Sequence, residues 1–172
     1  VLPVVYKSSI VQQFKKEFTH EKETTLSVFK AITNDKLTLK ANDDIRSLQR
    51  LVWHVLITHG EMLGKSGLVI NCPHEDALPS NDINEICNLY EISANSVIEQ
   101  VEKQWKDSDL TTEVNMYGEN WSKGTILNVL IKHEVHHRGQ LSVVMRLNNI
   151  KVPSIYGPSK EDWATFNMPT AE

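Results

Sequence analysis

The sequence predicts an all-α protein: a four-helix bundle forming one domain over residues 1–172, with a short C-terminal helix and room for a small β-hairpin before the fourth long helix. Three observations carry this. Four long segments place apolar residues three and four apart. The stretches between them are rich in Gly, Pro, Asn and Ser. Apolar residues at 40% and charged residues at 23% lie near globular averages, and 172 residues suffice for a sizeable core. Each amphipathic stripe has to be covered by the others, which favours antiparallel bundle packing.

Ser8 or Ser9 caps the first helix, which carries Ile10, Phe14, Phe18, Thr25, Val28, Phe29 and Ile32 over about six turns. The polar stretch TNDKLTLKANDD has no sustained period. Leu48, Leu51, Val52, Val55, Leu56, Met62 and Leu63 then define a second helix ending near Gly64. KSGLVINCPHEDALPSN holds two prolines and a glycine and reads as a loop. Asn81 or Asp82 opens a third helix bearing Ile83, Ile86, Leu89, Tyr90, Ala94, Val97, Ile98, Val101 and Trp105, with an end expected near Asp107. From Asp109 to Asn120 a weak alternation with one glycine fits either a short β-hairpin or an irregular loop. Ser122 caps the fourth helix, which runs to about Leu147 and stops at Asn148-Asn149. Ser159 with Asp162 resembles a capping box for a short fifth helix, whose Trp163 and Phe166 are expected to pack on the bundle.

Composition also narrows function. Eighteen Lys and Arg, scattered along the chain, stand against 22 Asp and Glu, a net charge of -4, so nucleic acid is not an expected partner. No apolar run reaches the roughly 20 residues of a membrane span, and VLPVVYKSSI lacks the organisation of a signal peptide. Cys72 and Cys87 are too few for a disulfide framework; both read as free thiols in a cytoplasmic protein.

Ile131 to Leu147, IKHEVHHRGQLSVVMRL, concentrates three histidines, a glutamate and an arginine on the fourth helix. The ladder Ile126, Leu130, His133, His137, Leu141, Val144 puts His133 and His137 in the apolar stripe. Two imidazoles one turn apart on a buried face lose hydration that something must replace, and a divalent metal does so. His54, in the series Leu51, His54, Thr58, Glu61 on the second helix, supplies a third ligand across the core. Zinc, nickel, copper and iron all accept such a set. His136 points about 100 degrees away, toward a helix interface or the back of a ligand histidine. Arg138 and Gln140 are candidates for orienting a ligand histidine from another helix or a second subunit, with a solvated polar face as the alternative for Arg138. Gly139 is expected to permit a close helix approach. Trp53, Trp121 and Tyr117 line either a pocket mouth or the core, Cys72 lacks an activating partner, and His20, His59 and His74 have no comparable setting.

His133-Glu134-Val135-His136-His137 also spells H-E-x-x-H, the zincin signature with glutamate as general base. The longer metzincin form fails, because Gln140 and Val143 stand at its Gly and His positions. A zincin would need a distant carboxylate such as Glu161, and no sheet is legible upstream of residue 120. Glu134 also falls off the line of His133 and His137.

His54 on the second helix, the run His133-Glu134-Val135-His136-His137-Arg138-Gly139-Gln140-Leu141 late in the fourth, and the Pro-containing segment after it together resemble the DinB family. The resemblance spans nearly the whole chain, up to Gly157-Pro158-Ser159, and His136-His137-Arg138-Gly139-Gln140 is its most specific part. It implies an up-down-down-up bundle, usually a homodimer, with His54, His133 and His137 holding a divalent metal such as zinc or nickel. It also implies a thiol S-transferase in which a metal-activated low-molecular-weight thiol attacks an electrophile. Two other readings stand beside that one: a non-catalytic, stress-related metal-binding protein, and a metal-dependent hydrolase using the H-E-x-x-H stretch. Three ligands rather than four favour an open, catalytic type of site.

Overall fold

A computed structural model describes residues 9–169 of the chain. Its four long helices are α1 (Ile10–Lys30), α2 (Leu48–Lys65), α3 (Ile83–Gln104) and α4 (Lys123–Leu147), with the antiparallel strands β1 (Glu113–Met116) and β2 (Glu119–Ser122) just before α4. Each helix starts where its sequence supplies an oxygen for the unpaired first-turn amides. Ser9, Ser47 and Ser122 accept from the amides of Gln12, Arg50 and Thr125, and Asp82 accepts from that of Asn84. Ser8, the alternative cap of the first helix, lies outside the described residues.

Around the bundle the helices follow the cyclic order α1, α3, α2, α4, so α1 faces α2 and α3 faces α4 across the diagonals. Side-chain pairs fix the directions. Lys15 meets Glu102 and Lys22 meets Asn95, which makes α1 and α3 antiparallel. Gln49 reaches Ser80 just ahead of α3, while His59 reaches Ser93 within it, so α2 and α3 run in parallel. His54 meets His137 edge to face while His59 lies near Glu134, which makes α4 antiparallel to α2. The arrangement is up-down-down-up.

Two consecutive helices can be parallel only if the chain returns along the first before starting the second. Residues 66–82 do so. Cys72 Sγ donates to the Leu56 carbonyl at 3.3 Å, Trp53 Nε1 donates to the Ala77 carbonyl at 2.9 Å, and Gln49 Nε2 donates to the Ser80 carbonyl at 2.8 Å. The return segment therefore descends α2 residue by residue. Gly60 makes the approach possible, since a Cβ there would stand 3.1 Å from the Cys72 Cβ. Trp53 and Cys72 thus serve this packing. Burial raises the thiol pKa values of both Cys72 and Cys87.

The hairpin resolves the open choice between Asp109 and Asn120. Tyr117 and Gly118 form its two-residue turn with φ of 56° and 89°, the backbone that matches the twist of paired strands. Tyr117 lies under the Lys65 ammonium, and Trp121 donates to Glu119, so neither forms a pocket mouth at the histidines. The third helix stops three residues short of Asp107 because that carboxylate is used elsewhere. It accepts from the amides of Ile10 and Val11 and from the Ser9 hydroxyl, anchoring the start of α1, and these bonds hold it below the usual carboxylate range.

Three expectations need correction. The short C-terminal helix forms over Trp163–Phe166 as a single 3-10 turn, but Phe166 is exposed and does not pack on the bundle. The C-terminal segment is held instead by the buried Val152, by Arg146 with Glu161, and by Tyr156. Ile10 at the head of the first ladder is exposed, and Val11 takes the core position. Gly139 faces open space and permits no close helix approach among the described residues. No helix of the described residues is long and apolar enough to cross a membrane.

Arg138 is buried at 1% exposure, so the solvated alternative for it is excluded. Its guanidinium pairs with Glu21 and donates to Thr25 Oγ1 at 3.0 Å and to the Glu21 carbonyl at 3.3 Å on α1, with the Tyr156 hydroxyl completing the set. A buried charge that loses its partner costs roughly 3–5 kcal/mol. Arg138→Met is expected to destabilise by about that amount in urea unfolding, and adding Glu21→Gln should recover much of the loss.

Candidate metal centre

His54 on α2 and His133 and His137 on α4 come together because both helices present these positions to one another. His133 Nε2 lies 3.1 Å from His54 Nε2 and 3.1 Å from His137 Nε2. One nitrogen from each ring fits within 4.8 Å of the others. The three rings meet at steep angles, 63° to 88°, with centroids 4.4 to 4.9 Å apart, so they converge on a point and are not stacked. His137 is buried, while His54 and His133 are half-buried at the rim of the core.

Burial disfavours the charged imidazolium in all three, and neighbouring rings add to the effect. His54 and His133 are pushed down to about 4, and His137 is lowered as well despite a hydrogen bond to the Gln140 carbonyl oxygen that opposes the shift. Near neutral pH the rings are neutral, the form that ligates a metal. Gln140 fixes which nitrogen of His137 is free. Its Oε1 stands 2.7 Å from His137 Nδ1, and its amide nitrogen stands 3.1 Å from His136 Nε2. An acceptor at Nδ1 keeps the proton there and leaves the Nε2 lone pair turned to the other rings.

Two lone pairs facing at 3.1 Å repel unless a proton or a cation stands between them. Nitrogens sharing a zinc-like ion at about 2.0–2.1 Å lie roughly 3.0–3.4 Å apart, so the observed spacing suits a divalent ion. The cluster could hold one. His136 is exposed and reaches the cluster only through Gln140 and by edge contact with the His137 ring, 4.9 Å between centroids. Arg138, a candidate for orienting a ligand histidine, does not do so, since its donors are spent on α1 and Tyr156.

Glu134 points elsewhere. It is 1% exposed and accepts from the Tyr90 hydroxyl, with His59 Nε2 4.0 Å from its other oxygen. Among the described residues neither that oxygen nor His59 Nε2 has a hydrogen-bond partner, while His59 Nδ1 meets Ser93 Oγ at 3.0 Å. Burial works against the Glu134 charge, but the His59 and Tyr90 neighbours outweigh it and hold the carboxyl below its usual range. Burial, reinforced by that carboxylate, raises Tyr90 well above its ordinary value. This polar cluster behind the histidines was missed in the sequence at His59. Its signal was there: His59 falls at helical spacing between Leu56 and Met62 in the buried stripe of α2.

The DinB family profile matches residues 7–171. The uncharacterized protein YrdA of Bacillus subtilis (strain 168) is 30% identical over 158 residues, 92% of this chain and 95% of that protein. A crystal structure of a DinB-like protein from Bacillus cereus superposes with a TM-score of 0.80 at 28% identity, covering 86% of this chain and 98% of that one. The DinB-like protein YjoA of Bacillus subtilis shares the fold at a TM-score of 0.66 and 21% identity, over 85% of this chain and 99% of that one.

In metal-free protein, His54 and His133 titrate near 4 when folded but near about 6.5 when unfolded. Below about 6.5 the unfolded chain therefore binds protons that the folded chain refuses, and stability falls as pH drops toward about 4. Urea midpoints measured in chelator across that window should decline, and the decline should be shallower in a His54→Asn, His133→Asn variant. Separately, Tyr90→Phe should cost about 1–3 kcal/mol in the same assay, by leaving Glu134 short of a buried donor, while leaving the three histidines in place.

Proposed function

The chain belongs to the DinB family, and on that premise we propose that it is a metal-dependent thiol S-transferase whose divalent ion, zinc or nickel, is held by His54, His133 and His137. The observation that carries this reading is the convergence of three Nε2 atoms on one point, two of the pairs at 3.1 Å. An ion bound there keeps its full charge, because its ligands are neutral, and favours the thiolate form of a thiol delivered to it.

The chain's own groups set the rest. Gln140 holds His137 in the tautomer with Nε2 free. Half-burial of His54 and His133 leaves the outer side of the cluster accessible to a small thiol. The thiol proton passes to solvent on that side, since Glu134 is committed to Tyr90 in the core. A new sulfur–carbon bond then forms as the electrophile gives up its leaving group or accepts the addition. The same commitment of Glu134 counts against the hydrolase reading, which needs this carboxylate as its base.

Purified protein reconstituted with zinc or nickel should carry about one ion per chain by elemental analysis, and His54→Ala, His133→Ala and His137→Ala should each carry far less. Gln140→Ala should bind the ion about 10–100-fold more weakly. Metal-loaded protein should accelerate conjugation of a low-molecular-weight thiol to monochlorobimane, and His133→Ala should not. Full metal occupancy without conjugation, across cysteine, glutathione and related thiols, would leave a metal-binding protein that is not this transferase.

A further inference from the structure

Just ahead of the Ser47 cap of α2, Asp44, Ile45 and Arg46 form, with the exposed face of α4, an open cleft of about 670 Å³. That volume lies in the range of small-molecule sites. The cavity has an apolar wall made by Ile45, Val143 and Val144, and Val143 is 59% exposed although it is branched and wholly hydrocarbon. Its polar side contains Asp44, Arg46, His136 and Gln140. Gln140 is thus shared, with its amide spanning His136 and His137 while its side lines the cavity.

Arg46 makes no ion pair or side-chain hydrogen bond among the described residues, so its five donors are free. Asp44 also lines the cavity and is likewise unpaired there. Arg46 can pair one carboxylate, and Asp44 in the same space repels a second negative charge.

We propose that this cavity is a subsite for a small monocarboxylate with an apolar body, its carboxylate on Arg46 and its hydrocarbon on Ile45, Val143 and Val144. The guanidinium offers the planar fork that a carboxylate accepts. The role as a substrate subsite rests on the histidine cluster being the reacting centre; the carboxylate binding itself does not.

Hexanoate is a suitable probe, titrated into metal-free and zinc-loaded protein and followed by amide chemical shifts, with hexan-1-ol as the uncharged control. Saturable shifts are expected at 44–46 and 140–144 in both forms. Hexan-1-ol, and hexanoate with Arg46→Gln, should bind about tenfold more weakly, the worth of one charge-assisted contact. Arg46 is exposed, and an unchanged circular dichroism spectrum would show that the variant folds. Equal binding of acid and alcohol, an Arg46→Gln variant that binds like wild type, or the absence of shifts would overturn the subsite. Binding confined to the zinc-loaded form and indifferent to Arg46 would also overturn it, since the carboxylate would then sit on the ion. The same shifts produced by raising protein concentration alone would give this face to a second copy and overturn it too. If zinc fails to load while hexanoate still binds through Arg46, the metal reading falls and the subsite stands.

Discussion

Much of this structure follows from the need to compensate four polar side chains that α4 carries into the protein within six residues. His133, Glu134, His137 and Arg138 leave the helix in different directions, and each of the other three helices supplies an answer. His54 on α2 meets the two histidines, Tyr90 on α3 meets Glu134, and Glu21 with Thr25 on α1 meets Arg138. Apolar packing alone tolerates small slides of one helix along another, because a leucine is nearly as well covered one notch along. A buried charge or imidazole has no such tolerance. These contacts therefore set the axial register of all four helices, and the position of the histidine cluster is one consequence of it.

How much of this was legible in the sequence depended on the kind of information required. Caps and apolar spacing are local, and Ser9, Asp82 and Ser122 start their helices as local chemistry dictates. Helical phase also separates His133 and His137 from His136 and Glu134, because it needs only one helix. What phase cannot supply is the identity of a partner on another helix. Glu134 could be seen to point away from the other two histidines, but Tyr90 and His59 as its destination required the bundle's cyclic order. Arg138 was ambiguous for the same reason, since its partners lie 113 and 117 residues away. The short C-terminal helix was legible in its cap, with Ser159 Oγ 2.7 Å from Asp162, but not in its extent: Asn167, at a φ of 52°, ends it after one 3-10 turn.

The family and the site rest on different observations. Matching residues 7–171 and a shared fold explain the bundle and its topology. The chemistry depends on particular side chains, and here the histidine cluster and its Gln140 support stand on one side of α4 while the Glu134 network stands on another. An H-E-x-x-H string thus has its histidines and its glutamate assigned to separate environments by helical geometry, so the letters alone misstate what the stretch does.

The ion pair between Glu21 and Arg138 also constrains how the chain is made. Glu21 emerges first during synthesis, its partner follows 117 residues later, and Tyr156 later still at 135. At roughly 5–20 residues per second, about 6–23 seconds separate the two charges. Throughout that interval the inner face of α1 holds a carboxylate that cannot be buried cheaply. Any packing of α1 that buries Glu21 before the fourth helix arrives leaves that carboxylate without its partner.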